Sequence, residues 1–200
     1  MKFLILYILF FIKINFLFAQ KEDKVIIPTK YGNFSFRGQV FSHGSNYLLI
    51  GLGGVFDKER KMTQISGRVA YHIRLKNYHF QMAYHTNSDE WFLNRSFQTL
   101  HEIRFGTGIR KDEWKKDMAI FIGPSLSYGD AFMKVNDKED FYHFSTLGAY
   151  IDLQFTRKYI YDIGLGTSVF ASFNKYYTIY GIDLHIYFSA AYKKKSRNVM

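Results

Sequence analysis

The chain has 200 residues, a length that suits one domain, and 20% of them are aromatic while only 2 are proline, which excludes a disordered chain and favours strands. It contains no cysteine, which excludes disulfides, a thiolate metal site and a lipid-carrying cysteine at a mature N-terminus. A formal charge of +10 suits either nucleic acid or an anionic lipid surface, and the export signal that opens the chain excludes the first.

That signal is the first element. Met1-Lys2 is a short basic start, Phe3 to Ile12 is an unbroken apolar run, and Lys13 and Asn15 interrupt it before Phe16-Leu17-Phe18-Ala19-Gln20. The run falls short of the about 20 apolar residues that a membrane-spanning helix needs. It reads as a signal peptide over residues 1–19, cut after Ala19 with Leu17 at the third position before the cut. Lys2 and Lys13 leave with it, so the mature net charge is +8.

Residues 20–46 alternate only weakly, with Phe34 and Phe36 set against Ser35 and Arg37 between Gly32 and Gly44. They read as a periplasmic lead-in or an extra strand. From Tyr47 onward the dominant signal is alternation with period 2, which sends successive side chains to opposite faces of a sheet. Leu48, Ile50, Leu52 and Phe56 oppose Gly51 and Gly53. Ile65, Val69, Tyr71, Ile73 and Leu75 oppose Ser66, Arg68, Ala70, His72 and Arg74. Phe80, Met82 and Tyr84 oppose His79, Gln81, Ala83 and His85, and Ile103, Phe105, Thr107 and Ile109 oppose Glu102, Arg104, Gly106 and Gly108. Met118, Ile120, Ile122, Pro124 and Leu126 oppose Phe121, Gly123, Ser125 and Ser127. Leu147, Ala149, Ile151, Leu153 and Phe155 oppose Gly148, Tyr150, Asp152 and Gln154. Tyr161, Ile163, Leu165, Thr167, Val169 and Ala171 oppose Asp162, Gly164, Gly166, Ser168 and Phe170. Finally, Tyr180, Ile182, Leu184, Ile186, Phe188, Ala190 and Tyr192 oppose Gly181, Asp183, His185, Tyr187, Ser189 and Ala191.

These are about eight strands, each long enough for a tilted crossing of about 9–11 residues. The polar face is rich in glycine, serine and isolated charges, and it lacks the dense Lys and Glu of a solvated surface. Small inward residues beside Tyr150, Phe121 and Phe170 suit a narrow, filled barrel whose apolar face meets lipid. The fold class that follows is all-β: an antiparallel up-and-down transmembrane β-barrel over residues 47–192, with a basic periplasmic tail over 193–200. With a periplasmic N-terminus, the outer loops fall near Asp57–Met62, Asn87–Arg95, Gly129–Asp140 and Asn174–Tyr176. The opposite turns fall at Lys76-Asn77, Lys111–Lys116 and Arg157-Lys158, with Asn77 suited to the positive φ of a tight turn. Aromatics gather at both strand ends, Tyr78, Trp114, Phe155, Tyr159, Tyr161 and Tyr192 at one and Phe56, Tyr84, Trp91, Phe97, Tyr128, Phe141 and Phe173 at the other, as interfacial girdles do.

With this pattern over Tyr47 to Tyr192, and with the phrase Gly123-Pro124-Ser125-Leu126-Ser127-Tyr128-Gly129, the chain resembles the small eight-stranded outer-membrane barrels of the OmpA/OmpX kind. The resemblance implies an outer-membrane address and carries no catalytic assignment. Members of that group commonly end on the aromatic residue of the last strand, whereas here Tyr192 is followed by Lys193-Lys194-Lys195-Ser196-Arg197.

The chemistry-bearing residues of the inward face are Arg68, Arg74, Glu102, Arg104, Asp152, Asp162, Asp183 and His185. Charges in a tight lumen must be paired, because an unpaired buried charge is costly, so these residues read as a polar network that plugs the barrel. The alternative is a narrow, porin-like channel. His79 and His85 share a face but stand six residues apart, near 20 Å, and cannot share an ion; no metal or cofactor is expected. A third reading is a lipid-modifying hydrolase, suggested by the outward spacing of His143 and Ser145. Its carboxylate is not evident, because Asp140 lies in a loop and Asp152 points inward. The residues thus favour a non-enzymatic structural or interaction protein, or an accessory subunit of an outer-membrane complex. Its partners are outer-membrane lipid and lipopolysaccharide, whose phosphates suit Lys58, Arg60, Lys61, Arg95, Lys134 and Lys138.

Overall fold

A computed structural model describes residues 33–36, 39–42, 44–59, 61–89, 99–135, 138–189 and 191–193. The leader and the end of the basic tail lie outside them. The described residues form eleven β-strands: β1 (Asn33–Phe36), β2 (Gln39–Ser42), β3 (Tyr47–Asp57), β4 (Met62–Leu75), β5 (Tyr78–Ser88), β6 (Thr99–Asp112), β7 (Lys116–Val135), β8 (Lys138–Ile160), β9 (Ile163–Asn174), β10 (Thr178–Ser189) and β11 (Tyr192–Lys193). Strands β3 to β10 pair antiparallel in chain order, and β10 returns to β3 from Ser189↔Tyr47 to Ile179↔Asp57. The sheet is closed and has no edge over the height at which all eight strands pair. Every main-chain donor and acceptor within the apolar belt can therefore be met by a neighbouring strand, as a bilayer requires.

Alternation decides what lies inside. Along β3, Tyr47, Leu49, Gly51, Val55 and Asp57 turn inward, and Ile50, Leu52 and Phe56 turn outward. The outer wall is apolar and uncovered, with Leu52 61% and Ile122 59% exposed. The buried set holds Arg68, Glu102, Arg104, Asp152, Lys158 and Asp183 beside Phe121, Tyr150 and Tyr187. Polar inside and apolar outside is the reverse of a soluble fold, and it is the distribution of a barrel in lipid. Close approach explains two inward glycines. A Cβ on Gly181 would enter the Phe170 ring, and one on Gly106 would meet the Tyr150 hydroxyl.

Several connections differ from those expected. The stretch Gly129–Asp140 is no loop, because β7 and β8 stay paired from Gly129↔Phe144 to Val135↔Lys138 and form a hairpin that outruns its neighbours. Its polar composition resembles a loop because a two-stranded ribbon beyond the barrel has no lipid face to mark it. The turn expected at Arg157-Lys158 lies instead at Tyr161-Asp162. Lys158 continues the inward face of β8 and is buried, so a charged dipeptide that reads as a turn is part of a strand. Tyr161, assigned above to the outer wall, is accordingly buried at 1% exposure. In the β4–β5 turn the positive φ, 56°, belongs to Lys76 and not to Asn77. Trp91 and Phe97 of the outer girdle lie outside the described residues.

The strand β10 ends at Ser189, short of Tyr192. Tyr192 and Lys193 form β11 and pair with β2, opposite Phe41 and Val40, while β1 pairs with the other side of β2. A small three-stranded sheet thus joins both ends of the chain on the side of the barrel where the short turns lie. That side is the terminal end of the barrel, and the opposite side is the hairpin end.

Candidate functional site

Two polar layers fill the barrel. The middle layer centres on Arg68, placed inside by the parity of β4. Its Nη1 donates to Asp152 Oδ2 at 2.9 Å, its Nη2 donates to Ser168 Oγ, and its Nε lies 3.5 Å from Asp183 Oδ2. Asp152 Oδ2 also accepts from Gln81 Nε2 at 2.8 Å and Gln154 Nε2 at 2.7 Å. The same two amide nitrogens lie 3.0 and 3.1 Å from His72 Nε2, which assigns that nitrogen as an acceptor. Ser66 Oγ donates to Asp183 Oδ1 at 2.6 Å, and Tyr150 OH donates to Gln81 Oε1 at 2.7 Å. His185 meets Thr156 Oγ1 through Nε2 at 2.8 Å and Ser168 Oγ through Nδ1 at 2.9 Å. Both ring nitrogens are engaged, and the serine–histidine pair is shut inside the barrel.

Toward the hairpin end, Arg104 turns back on its own strand and donates Nε and Nη2 to Glu102 Oε2 at 2.9 and 2.7 Å. Ser172 Oγ donates to the other carboxylate oxygen. The guanidinium carbon stands 4.6 Å from the Phe170 ring centre and 5.4 Å from that of Tyr150, so aromatic faces complete the cation's surroundings.

The terminal layer is one that the sequence reading did not assemble. Arg110 Nε donates to Asp117 Oδ2 at 2.8 Å, its Nη2 to Tyr187 OH at 2.9 Å and its Nη1 to Ser45 O at 2.7 Å. Asp112 accepts from Lys158 Nζ, from Tyr161 OH at 2.5 Å and from Gly44 N at 2.8 Å. Arg74 supports the same segment from another side. Its N–H donates to Asn46 Oδ1 at 2.9 Å and its Nη1 to Gly44 O at 3.3 Å. Gly44 has φ +68°, a left-handed conformation that glycine adopts without cost, and this bend lays residues 44–46 across the terminal mouth. Tyr47 follows them inward and stacks on His72 with ring centres 3.9 Å apart, joining the two layers. Parity alone could have found this cluster. Arg110 and Asp112 continue the inward series of β6 past Gly108, Asp117 precedes Phe121 on β7, and Lys158 follows Gln154 on β8.

Of the eight residues singled out by sequence, Arg68, Asp152, Asp183 and His185 fall in the middle layer, and Glu102 with Arg104 packs above it. Arg74 lies at the terminal rim instead. Asp162 lies in the β8–β9 turn, where its Oδ1 accepts from Ser189 Oγ at 2.5 Å and Ala191 N at 2.9 Å and its carbonyl accepts from Ser189 N at 2.8 Å. It holds the end of β10. Among the described residues no group of His, Asp and Glu is placed to hold a metal ion.

On the outer wall, the carboxylate that the hydrolase reading lacked is present. Asp130 faces His143 directly across the β7–β8 ladder, with Oδ1 2.9 Å from His143 Nδ1. Sequence reasoning missed it because Asp130 falls inside the stretch that reads as a loop.

No protein-family model matches the sequence, and no curated protein matches it either. Among solved structures, the barrel is similar to Neisserial surface protein A, with a TM-score of 0.56 and 10% identity over 72% of this chain and 96% of that one. It is also similar to Ail, the attachment invasion locus protein of Yersinia pestis, with a TM-score of 0.51 and 8% identity over 74% of this chain and 97% of that one. At such identities the likeness is one of fold, and the fold is the closed eight-stranded barrel of outer-membrane proteins.

Proposed function

We propose that this chain resides in the outer membrane as a structural or interaction protein, and that its interior is a packed polar core rather than a conduit. The observation that carries this reading is the double closure of the lumen. The Arg68–Asp152–Asp183 layer crosses the middle, and residues 44–46, bound to Asp112, Arg110 and Arg74, cover the terminal mouth. Eight strands leave an interior just wide enough for side chains, and here those side chains are bonded to one another across it. Short turns at the terminal end support a periplasmic side there, with the long β7–β8 hairpin projecting outward. Exposed Lys58 and Lys61 at the hairpin end suit the phosphates of lipopolysaccharide. The sheet of β1, β2 and β11 offers the periplasm a surface for a protein partner.

Planar-bilayer recording of the refolded chain tests the closed lumen. The expected result is a silent membrane; steady, reproducible currents would replace this reading with a channel. Affinity purification from detergent-solubilised outer membrane tests the partner, with a co-purifying complex expected and a lone barrel arguing against a subunit role.

A further inference from the structure

The Asp130–His143 pair has no part in either polar layer. Both side chains are largely exposed on the outer wall, and an exposed pair of this kind contributes little to stability. Its geometry has a chemical consequence. A carboxylate on Nδ1 holds the ring proton there and leaves the Nε2 lone pair free to take a proton. No described hydrogen bond engages Nε2. Ser145 is two residues further along β8, exposed on the same outward face. Its Cα stands about 7 Å from that of His143, a gap that the imidazole and the serine side chain can close between them.

The height of this group on the wall selects the substrate. Ile122 pairs with Ile151, Pro124 with Ala149 and Leu126 with Leu147, and these outward rows are apolar, with Leu147 75% exposed. The next two rows are Tyr128↔Ser145 and Asp130↔His143. Ser145 therefore stands where the apolar belt gives way to polar wall, at the level where the acyl esters of membrane lipids join hydrocarbon to headgroup. The β8–β9 ladder begins only at Gly148↔Asn174. No described strand covers the edge of β8 beside Ser145, so a lipid can approach there, and main-chain N–H groups on that edge can meet a developing oxyanion.

We propose that Ser145, His143 and Asp130 form a hydrolytic site for acyl esters of membrane lipid, an activity beyond the structural role of the interior. Ser145 Oγ attacks the ester carbonyl as its proton passes to His143 Nε2, and Asp130 steadies the imidazolium. The tetrahedral intermediate expels the lipid alcohol, which takes the proton from His143, and an acyl-serine remains. Water then gives a proton to His143 and attacks the acyl-serine; Ser145 is restored with that proton and a free fatty acid leaves.

The test uses the full chain refolded into phosphatidylethanolamine vesicles, with and without lipopolysaccharide. Fatty-acid release is followed by mass spectrometry, alongside labelling with a fluorophosphonate. Release only when lipopolysaccharide is present identifies it as the ester source, release from both vesicle types identifies phospholipid, and either result supports the site. The expected result is release together with a phosphonate adduct on Ser145. Both vanish in Ser145→Ala, release vanishes in His143→Asn, and Asp130→Asn slows release by up to about 10⁴-fold. Gel migration with and without heating confirms that each variant is folded, which an exposed outward position favours. A folded wild type that releases no fatty acid and takes no label overturns the proposal, as does release that persists unchanged in Ser145→Ala. Either outcome leaves the closed-lumen reading to its own test by current recording.

Discussion

Arg68 and Asp152 meet across the barrel from strands that are not neighbours, β4 and β8, with Nη1 2.9 Å from Oδ2 and both side chains shut away from solvent. A pair that spans the interior ties opposite walls together, and its loss is felt by both. Asp152→Ala leaves the Arg68 charge with Asp183 3.5 Å away and removes the acceptor shared by Gln81 and Gln154. Removing one partner of a buried pair costs about 3–5 kcal/mol. The expected outcome is a lowered urea midpoint in lipid vesicles, with Arg68→Leu in the Asp152→Ala background recovering part of the loss. No recovery in the double variant would mean that the two residues act independently.

The outer wall is tested by charge. Ile122 is 59% exposed, in the middle of the lipid-facing stretch of β7. Ile122→Arg should destabilise the barrel by about 2–4 kcal/mol if the position lies near the bilayer midplane. The same change at exposed Lys61 should alter little. Equal urea resistance of Ile122→Arg and wild type would refute the lipid face.

The inward glycines make a different prediction, because their cost is one of volume. A Cβ on Gly181 would run into the Phe170 ring. Gly181→Val should destabilise by about 1–3 kcal/mol through overpacking, and Phe170→Leu should restore part of that stability when combined with it. Unfolding midpoints of the four proteins of this cycle decide the matter.

The terminal mouth is held by main-chain donors as well as side chains. Asp112 accepts from Gly44 N at 2.8 Å, so Asp112→Ala should speed hydrogen exchange at the Gly44 amide while the β3–β10 ladder keeps its protection. Slow exchange at Gly44 in that variant would show that Arg110 and Arg74 suffice to hold the segment.

The sequence by itself determined which residues face lipid and which face the interior. Period-2 alternation is a local property: parity along β10 places Leu184 outward and Asp183 inward before any neighbour is known. It also determined that the interior is polar, since Arg68, Glu102, Arg104, Asp152 and Asp183 share the inward parity, and that eight such strands suit a barrel. Only the tertiary structure decided which charges meet. Arg68 and Asp152 are separated by 84 residues and Gly44 and Asp112 by 68, and their encounter depends on closure of β10 onto β3, which no local pattern encodes. Closure likewise gave Asp162 to the end of β10 and drew the terminal layer together. Pairing of β7 with β8 at the barrel rim set Asp130 opposite His143. That ribbon is joined through its main chain, whose hydrogen bonds form irrespective of side-chain identity, so its residues carry no pattern by which the register could have been read.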